Sequence, residues 1–215
     1  MNWKSMLEAD FAVSALQMER FEALDALYRE WNAQINVISR KDIDALYEHH
    51  VLHSLAIARY LQTVPELWEK FASAAVLDLG TGGGFPGIPL AILFEGAQFT
   101  LCDSVGKKTI VAQAVSSALG LPNVQVVNAR AETLPSAFDF VVSRAVAALP
   151  DFFPWVKGKY SQGILYLKGG DVNEEIATVM ARHKFPRGSV HTWPVSSWLH
   201  DAWYEGKLVV HIENL

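Results

Sequence analysis

Apolar positions recur at helical spacing from Val13 to Ile35, where Leu16, Phe21, Leu24, Leu27, Tyr28, Trp31 and Ile35 form one stripe and Glu19, Arg20, Glu22, Asp25 and Glu30 largely occupy the other side. The spacing predicts an amphipathic helix. A second stripe of Ile43, Leu46, Tyr47, Val51, Leu55 and Ala58 runs to Leu61 behind Asp42, which has the residue type of an N-cap. Together these predict a helical cap over residues 1–73. From residue 74 the pattern changes to short apolar runs that alternate with helical stretches, which predicts a mostly parallel sheet covered on both faces. The predicted strands are Ala74–Leu79, Gln98–Cys102, Val124–Asn128, Phe138–Ser143, Ile164–Leu167, Ser189–Val195 and Lys207–Ile212. The helices between them are Ile88–Phe94, Lys107–Leu119, Leu149–Val156 and Val172–Arg182. No convincing helix separates the last two strands, so they are expected to form an antiparallel pair at the sheet edge.

With 215 residues, 51% of them hydrophobic, the chain suffices for one main domain over residues 74–215 with the smaller cap packed on it. The first ten residues include Lys4, Glu8 and Asp10, and no apolar run nears twenty residues, so secretion and membrane spanning are disfavoured and a cytoplasmic location is expected. One cysteine, Cys102, excludes an internal disulfide and a cysteine-built zinc site. His49 and His53 have the i, i+4 spacing of a metal pair, but no third ligand at recognisable spacing accompanies them, so no metal is expected.

The net charge of −5 argues at first against a nucleic-acid partner, but residues 1–74 hold 7 Lys and Arg against 11 Asp and Glu, which is most of the excess. The rest of the chain is nearly neutral, and its basic residues follow the strands. Lys107 and Lys108 come after the second strand, Arg130 after the third, Arg144 after the fourth and Lys168 after the fifth. In an open α/β sheet the ligand end lies beyond the carboxyl ends of the strands, so these residues are expected to share one rim. Such a rim suits an anionic partner held through phosphate contacts.

After the first strand comes Asp78-Leu79-Gly80-Thr81-Gly82-Gly83-Gly84-Phe85-Pro86-Gly87, a turn whose glycines permit positive φ and close approach of backbone to a ligand. Asp103 ends the second strand, nineteen positions after Gly84, where a carboxylate suits the two hydroxyls of a ribose. The spacing Gly82-x-Gly84-x-x-Gly87 also satisfies the dinucleotide pattern, which alone is a weak signal. Asp78 distinguishes the two, because Asp-x-Gly-x-Gly-x-Gly resembles motif I of class I S-adenosylmethionine-dependent methyltransferases.

Further motifs narrow the resemblance. Leu79–Leu90 with Leu101-x-Asp103-Ser104-x-Gly106-Lys107-Lys108, Arg130-Ala131-Glu132, Ser143-Arg144-Ala145 and Leu167-Lys168-Gly169 is similar to the bacterial RsmG (GidB) family. The similarity extends back to Trp31-Asn32-x-x-Ile35-Asn36 and His50-x-x-His53-Ser54-Leu55, so it covers nearly the whole chain. It implies the Rossmann-like seven-stranded sheet with an antiparallel C-terminal edge, and transfer of a methyl group from S-adenosyl-L-methionine to N7 of a guanosine in the 530 loop of 16S ribosomal RNA. The implied partner is therefore 16S ribosomal RNA or the small ribosomal subunit. Carried over by position, the family's cofactor contacts fall at Gly80, Phe85, Ala131, Glu132 and Arg144, beside Asp78, Gly82, Gly84 and Asp103 of the wider motif.

Three departures accompany the match. His53 stands where the family usually has Asp, Gly83-Gly84-Phe85 replaces a more usual Pro-Gly-Leu, and Gly206-Lys207 stands where an arginine is common. Guanine N7 has a lone pair and no proton to remove, so the implied reaction needs no base. Arg144 is then the expected residue at the junction of cofactor and substrate, with Lys107, Lys108, Arg130 and Lys168 on the RNA. The residues alone leave three other functions open: a methyltransferase acting on a small molecule or a protein, a NAD-dependent dehydrogenase, and a non-enzymatic RNA-binding assembly module.

Overall fold

The computed structural model describes residues 2–135 and 137–214. Its centre is one seven-stranded sheet in the order β3-β2-β1-β4-β5-β7-β6. The strands are β1 (Ala75–Leu79), β2 (Gln98–Asp103), β3 (Val124–Asn128), β4 (Phe138–Arg144), β5 (Tyr160–Gly169), β6 (Val190–Pro194) and β7 (Lys207–Glu213). The first five pair in parallel, and β7 inserts antiparallel between β5 and β6. The expected α/β class and its antiparallel C-terminal edge are therefore present. β5 is longer than its apolar run because polar Ser161 and Gln162 precede the buried part.

Helices lie on both faces. α5 (Gly87–Leu93) and α6 (Gly106–Ala118) share one apolar cluster with Val76, Phe99, Leu101, Phe140 and Val142 of the sheet. α7 (Leu149–Val156) and α8 (Asn173–His183) cover Leu77, Val141, Ile164 and Tyr166 on the opposite face. Successive residues such as Val76 and Leu77 thus enter different cores, which is why these strands read as unbroken apolar runs.

Four helices precede the sheet: α1 (Trp3–Phe11), α2 (Ala15–Asn32), α3 (His53–Gln62) and α4 (Pro65–Phe71). Phe21, Leu24, Tyr28, Leu55 and Phe71 from them belong to the same cluster as α5 and α6. Polar side chains fix the docking. Gln17 Nε2 donates to the carbonyls of Ile92 and Leu93 at the end of α5. Arg20, expected on the outer side of the stripe, instead donates to the carbonyls of Leu119 and Gly120 after α6 while pairing with Glu95 at 2.7 Å. The last carbonyls of a helix have no partner within it, so α2 supplies donors to two helix ends at once.

The single helix expected from Asp42 to Leu61 is instead three pieces. A 3-10 turn at Ile43–Ala45 leads to a π-helical turn at Tyr47–Leu52, and only then does α3 begin. Asp42 makes no capping hydrogen bond; its carboxylate accepts from Ser39 Oγ at 2.7 Å and His49 Nδ1 at 3.1 Å. The wide π turn carries His49 and His50 toward the carboxyl ends of the strands. Such turns inside helices are frequent at functional sites.

Candidate active site

The chain leaves β1 at Leu79 and enters a left-handed conformation at Gly80, φ +73°, where a Cβ would collide with the Val146 side chain. Two amides, of Gly80 and Thr81, donate to the Cys102 carbonyl at 2.8 and 3.1 Å and hold the turn against β2. Behind it Asp78 accepts from Thr81 Oγ1 at 2.6 Å and from the Gly87 amide at 2.8 Å. Burial pushes its carboxyl up to about 7 despite those hydrogen bonds. A Cβ on Gly87 would stand 2.6 Å from this carboxylate. Glycine there is therefore a requirement of the Asp78 brace.

Asp103 braces the front of the same loop. Its Oδ2 accepts from the Gly82 amide at 2.9 Å and its Oδ1 from the Val105 amide at 2.8 Å. Both carboxylates have the same task of tying the loop to its strands, but only Asp103 also borders the cavity that opens above it.

That cavity has a volume of about 780 Å³ and lies over the carboxyl ends of the strands. Its floor is Leu79–Gly83, Phe85 and Asp103, and one side is Ala129–Glu132. Among the expected cofactor residues, Gly80, Gly82, Phe85, Asp103, Ala131, Glu132 and Arg144 line it together. Asp78 and Gly84 do not. Asp78 is fully buried behind the turn, and Gly84, φ +116°, lets the chain pass Ile88 and the Tyr28 hydroxyl. Both residues shape the loop from behind its cavity-facing side.

The opposite wall comes from the segment between α2 and α3 and from the C-terminal edge. Arg144 ends β4 with its guanidinium over the Phe85 ring, 5.2 Å from the centroid. Nη1 donates to the His49 carbonyl at 3.3 Å and Nη2 meets His50 Nδ1 at 3.0 Å. Among the described residues no carboxylate pairs with it. Burial lowers it to about 10, with Asp78 pulling the other way, so the cation persists at neutral pH. The next residue, Ala145, is left-handed at φ 51° and starts the loop that carries Val146 over Gly80.

Trp203, from the turn before β7, stacks on His49 with centroids 4.0 Å apart, and Lys207 Nζ sits 3.7 Å from the Trp203 ring centre. His53 meets the same indole edge-on. His49 and His53 are thus engaged with an aromatic ring, and no group of three His, Cys, Asp or Glu side chains suited to a metal comes together among the described residues. Burial holds His50 down at about 3 and His53 well below the ordinary histidine range, both reinforced by Arg144.

The expected basic rim divides. Lys108, Arg130, Arg144 and Lys168 border the cavity, whereas Lys107 is exposed on α6 outside it. Lys168 is not free: its Nζ pairs with Glu175 at 2.8 Å and donates to the Ala147 carbonyl at 3.1 Å, with the side chain only 10% exposed. Glu175 also accepts the Leu149 amide, and the Tyr166 hydroxyl takes the amides of Val146 and Ala147. Lys168 therefore borders the cavity while also tying Glu175 to the 145–149 loop.

Val37, Trp203 and the carbonyl of His49 also belong to the site, and no motif in the sequence points to them. Asn32 was legible only as part of a motif. Its side chain accepts from the amides of Val37 and Ile38 and donates to the Ile38 carbonyl, folding the loop that sets Val37 against Gly83.

Comparison with known proteins adds to this geometry. The GidB family model, described as rRNA small subunit methyltransferase G, matches residues 17–197. The chain belongs to this family. It is 50% identical over 206 residues to the ribosomal RNA small subunit methyltransferase G of Flavobacterium psychrophilum, covering 92% of this chain and 91% of that one. The protein of the same name from Bacteroides thetaiotaomicron is 48% identical over 203 residues, 91% and 92% of the two chains. Among solved structures, an S-adenosylmethionine-dependent methyltransferase from Aquifex aeolicus superposes with a TM-score of 0.58 at 18% identity, over 83% of this chain and all of that one. A magnesium protoporphyrin IX methyltransferase from Synechocystis, solved with bound S-adenosylmethionine, gives 0.58 at 11% identity over 95% and 99%. At such identities the likeness establishes the class I methyltransferase fold, as the Asp78–Gly87 motif implied.

Proposed function

We propose that this protein transfers the methyl group of S-adenosyl-L-methionine to N7 of a guanosine in the 530 loop of 16S ribosomal RNA. Family membership supports the methyltransferase activity and the small-subunit RNA. The position within the RNA rests on the resemblance, as do a cytoplasmic location and the division into a cap over residues 1–73 and a cofactor-binding domain over 74–215.

The residues present fit the cofactor. Gly82 opens on the cavity with no described group within 4 Å of where a Cβ would stand, and the Asp103 carboxylate, held by two amides, stands beside it where it would suit the hydroxyls of a ribose. When bound, the sulfonium supplies an electrophilic methyl group. Ala131, Glu132 and Phe85 would hold the cofactor from the sides of the cavity, with the Arg144 guanidinium over the Phe85 ring.

The observation that carries the reading is the uncompensated guanidinium of Arg144 in the wall facing this cradle. It is held by two neutral acceptors, a carbonyl and an imidazole nitrogen, so its charge is oriented without being cancelled. Its remaining N–H groups can hold a phosphate or the O6 edge of guanine beside N7. His50 and His53 in the same wall stay neutral and weakly basic, which disfavours acceptors that must lose a proton. N7 needs none, and alignment of donor and acceptor in line is then the main contribution of the protein.

Titrating the protein with S-adenosylmethionine and with NAD, then offering labelled methyl donor to unmodified small subunits, to free nucleosides and to ribosomal protein, tests the reading. Binding of S-adenosylmethionine alone and 7-methylguanosine in the subunit RNA are expected. Transfer only to the metabolite or protein, or binding without transfer, favours one of the alternatives.

A further inference from the structure

The Arg144 guanidinium has donors only, so the nitrogen it meets at 3.0 Å must present a lone pair. That nitrogen is Nδ1 of His50. The ring proton of neutral His50 is therefore on Nε2, which is shut away from solvent and meets no partner among the described groups. The ring is fixed from another side by Phe85, whose centroid lies 5.2 Å away, and Phe85 also underlies the guanidinium. His50 sits on the π turn, and the preceding carbonyl, of His49, receives the other nitrogen of Arg144. One irregular turn thus offers two neutral acceptors to one cation.

We propose that His50, locked as the neutral tautomer protonated at Nε2, is the positioning residue for Arg144. A carboxylate at this place would fix the guanidinium equally well but would neutralise it. An imidazole lone pair fixes the orientation and leaves the charge for the ligand. The neighbouring imidazole does not share this work: the His49 side chain is engaged with Asp42 and Trp203, so it does not take the place of His50 at the guanidinium.

The first test is a two-bond 1H–15N imidazole spectrum of the full-length protein at neutral pH. His50, assigned by its loss in His50→Asn, is expected to be neutral with Nδ1 unprotonated, and Arg144→Met is expected to shift the Nδ1 resonance as its hydrogen bond is lost. A wild-type His50 protonated at Nδ1, or doubly protonated, overturns the proposal. The spectrum requires no RNA, so it separates this inference from the reaction on which its second test rests. In methyl transfer, His50→Phe is expected to lower kcat by about 10²-fold with little change in KM for S-adenosylmethionine, the size that misplacement of a reacting group produces. His50→Asn, which restores an acceptor near the place of Nδ1, is expected to recover most of that loss. The His50→Phe, Arg144→Met double variant should be no slower than Arg144→Met alone. Wild-type turnover in His50→Phe, no rescue by asparagine, or losses that multiply in the double variant would each overturn it.

Discussion

The hydroxyl of Tyr28 donates to the carbonyl of Gly83 at 2.8 Å, joining helix α2 of the cap to the glycine loop across 55 residues of sequence. Tyr28 is fully buried and its ring packs on Phe85 at 4.8 Å. Helix α2 therefore supports the glycine loop as well as covering the sheet. Replacing Tyr28 by Phe keeps the packing and leaves the Gly83 carbonyl without its partner. We expect a loss of about 1–3 kcal/mol in unfolding free energy and weaker S-adenosylmethionine binding, measured by denaturant titration and calorimetry. Unchanged affinity would mean that the loop keeps its shape without the cap.

The glycines differ in what they are needed for. Alanine at Gly80 suffers both the positive φ and a collision with Val146, whereas alanine at Gly82, φ +58°, suffers the backbone conformation alone because nothing lies within 4 Å. A left-handed alanine costs roughly 1–2 kcal/mol. Gly82→Ala is thus expected to fold with a modestly lowered melting temperature but to bind cofactor poorly, its methyl group standing in the cavity. Gly80→Ala should lose more stability, and an equal loss in both would contradict the Val146 contact.

Acidification acts on two sets of buried groups in opposite senses. His50 is held down at about 3 and His211, hydrogen-bonded to the Tyr60 hydroxyl, at about 4, so the unfolded chain takes up protons that the folded one refuses. Their contribution to stability is complete above the ordinary histidine value of about 6.5 and is lost as pH falls toward those lower values. Asp78 is the reverse. Its value of about 7 means the folded form takes up the proton first, and its contribution is complete below the ordinary aspartate range and lost as pH rises through 7. Asp78→Asn lacks this compensation, so between pH 7 and 5 its melting temperature should fall more steeply than that of the wild type. Parallel curves would show that Asp78 is not the group taking up the proton.

Substitutions at Lys168 and Lys108 are expected to separate anchoring from RNA contact. Lys108 borders the cavity mouth without an ion-pair partner among the described residues, while Lys168 is bound to Glu175. Lys108→Gln is expected to reduce the slope of log affinity against log salt for the ribosomal RNA by about 0.7, the value of one single-strand phosphate contact. Lys168→Met should leave that slope in place and lower stability and turnover through the 145–149 loop. The opposite assignment of slopes would restore Lys168 to the RNA.

Much of this fold was legible because the periodicities are local. The strand expected at Val124–Asn128 has those bounds, and the strand end at Asp103 and the helix after Gly87 lie within a residue of expectation. The two short helices at Trp3–Phe11 and Pro65–Phe71 were not assigned, although Asn2 accepts a capping hydrogen bond and Pro65 stands at a helix start. The π turn had no readable signal, since its apolar stripe continues that of α3. Within the site, the glycines and Asp103 were legible from spacing. Trp203 and Val37 were not, because the β6–β7 turn and the Asn32-folded loop reach the cavity only through tertiary structure. The pairing of Lys168 with Glu175 was not legible for a related reason: the partner comes from a helix whose approach the sequence does not show.

In the proposed function, the Asp103 cradle and the Arg144 wall bring a methyl donor to N7 of one guanosine. The most direct measurement is to map the modified position, by cleavage at 7-methylguanosine, in small subunits from cells lacking the modification after incubation with the protein and S-adenosylmethionine. A single 7-methylguanosine in the 530 loop, lost with Arg144→Ala, is the predicted result. No methylation there, or wild-type methylation by Arg144→Ala, would contradict it.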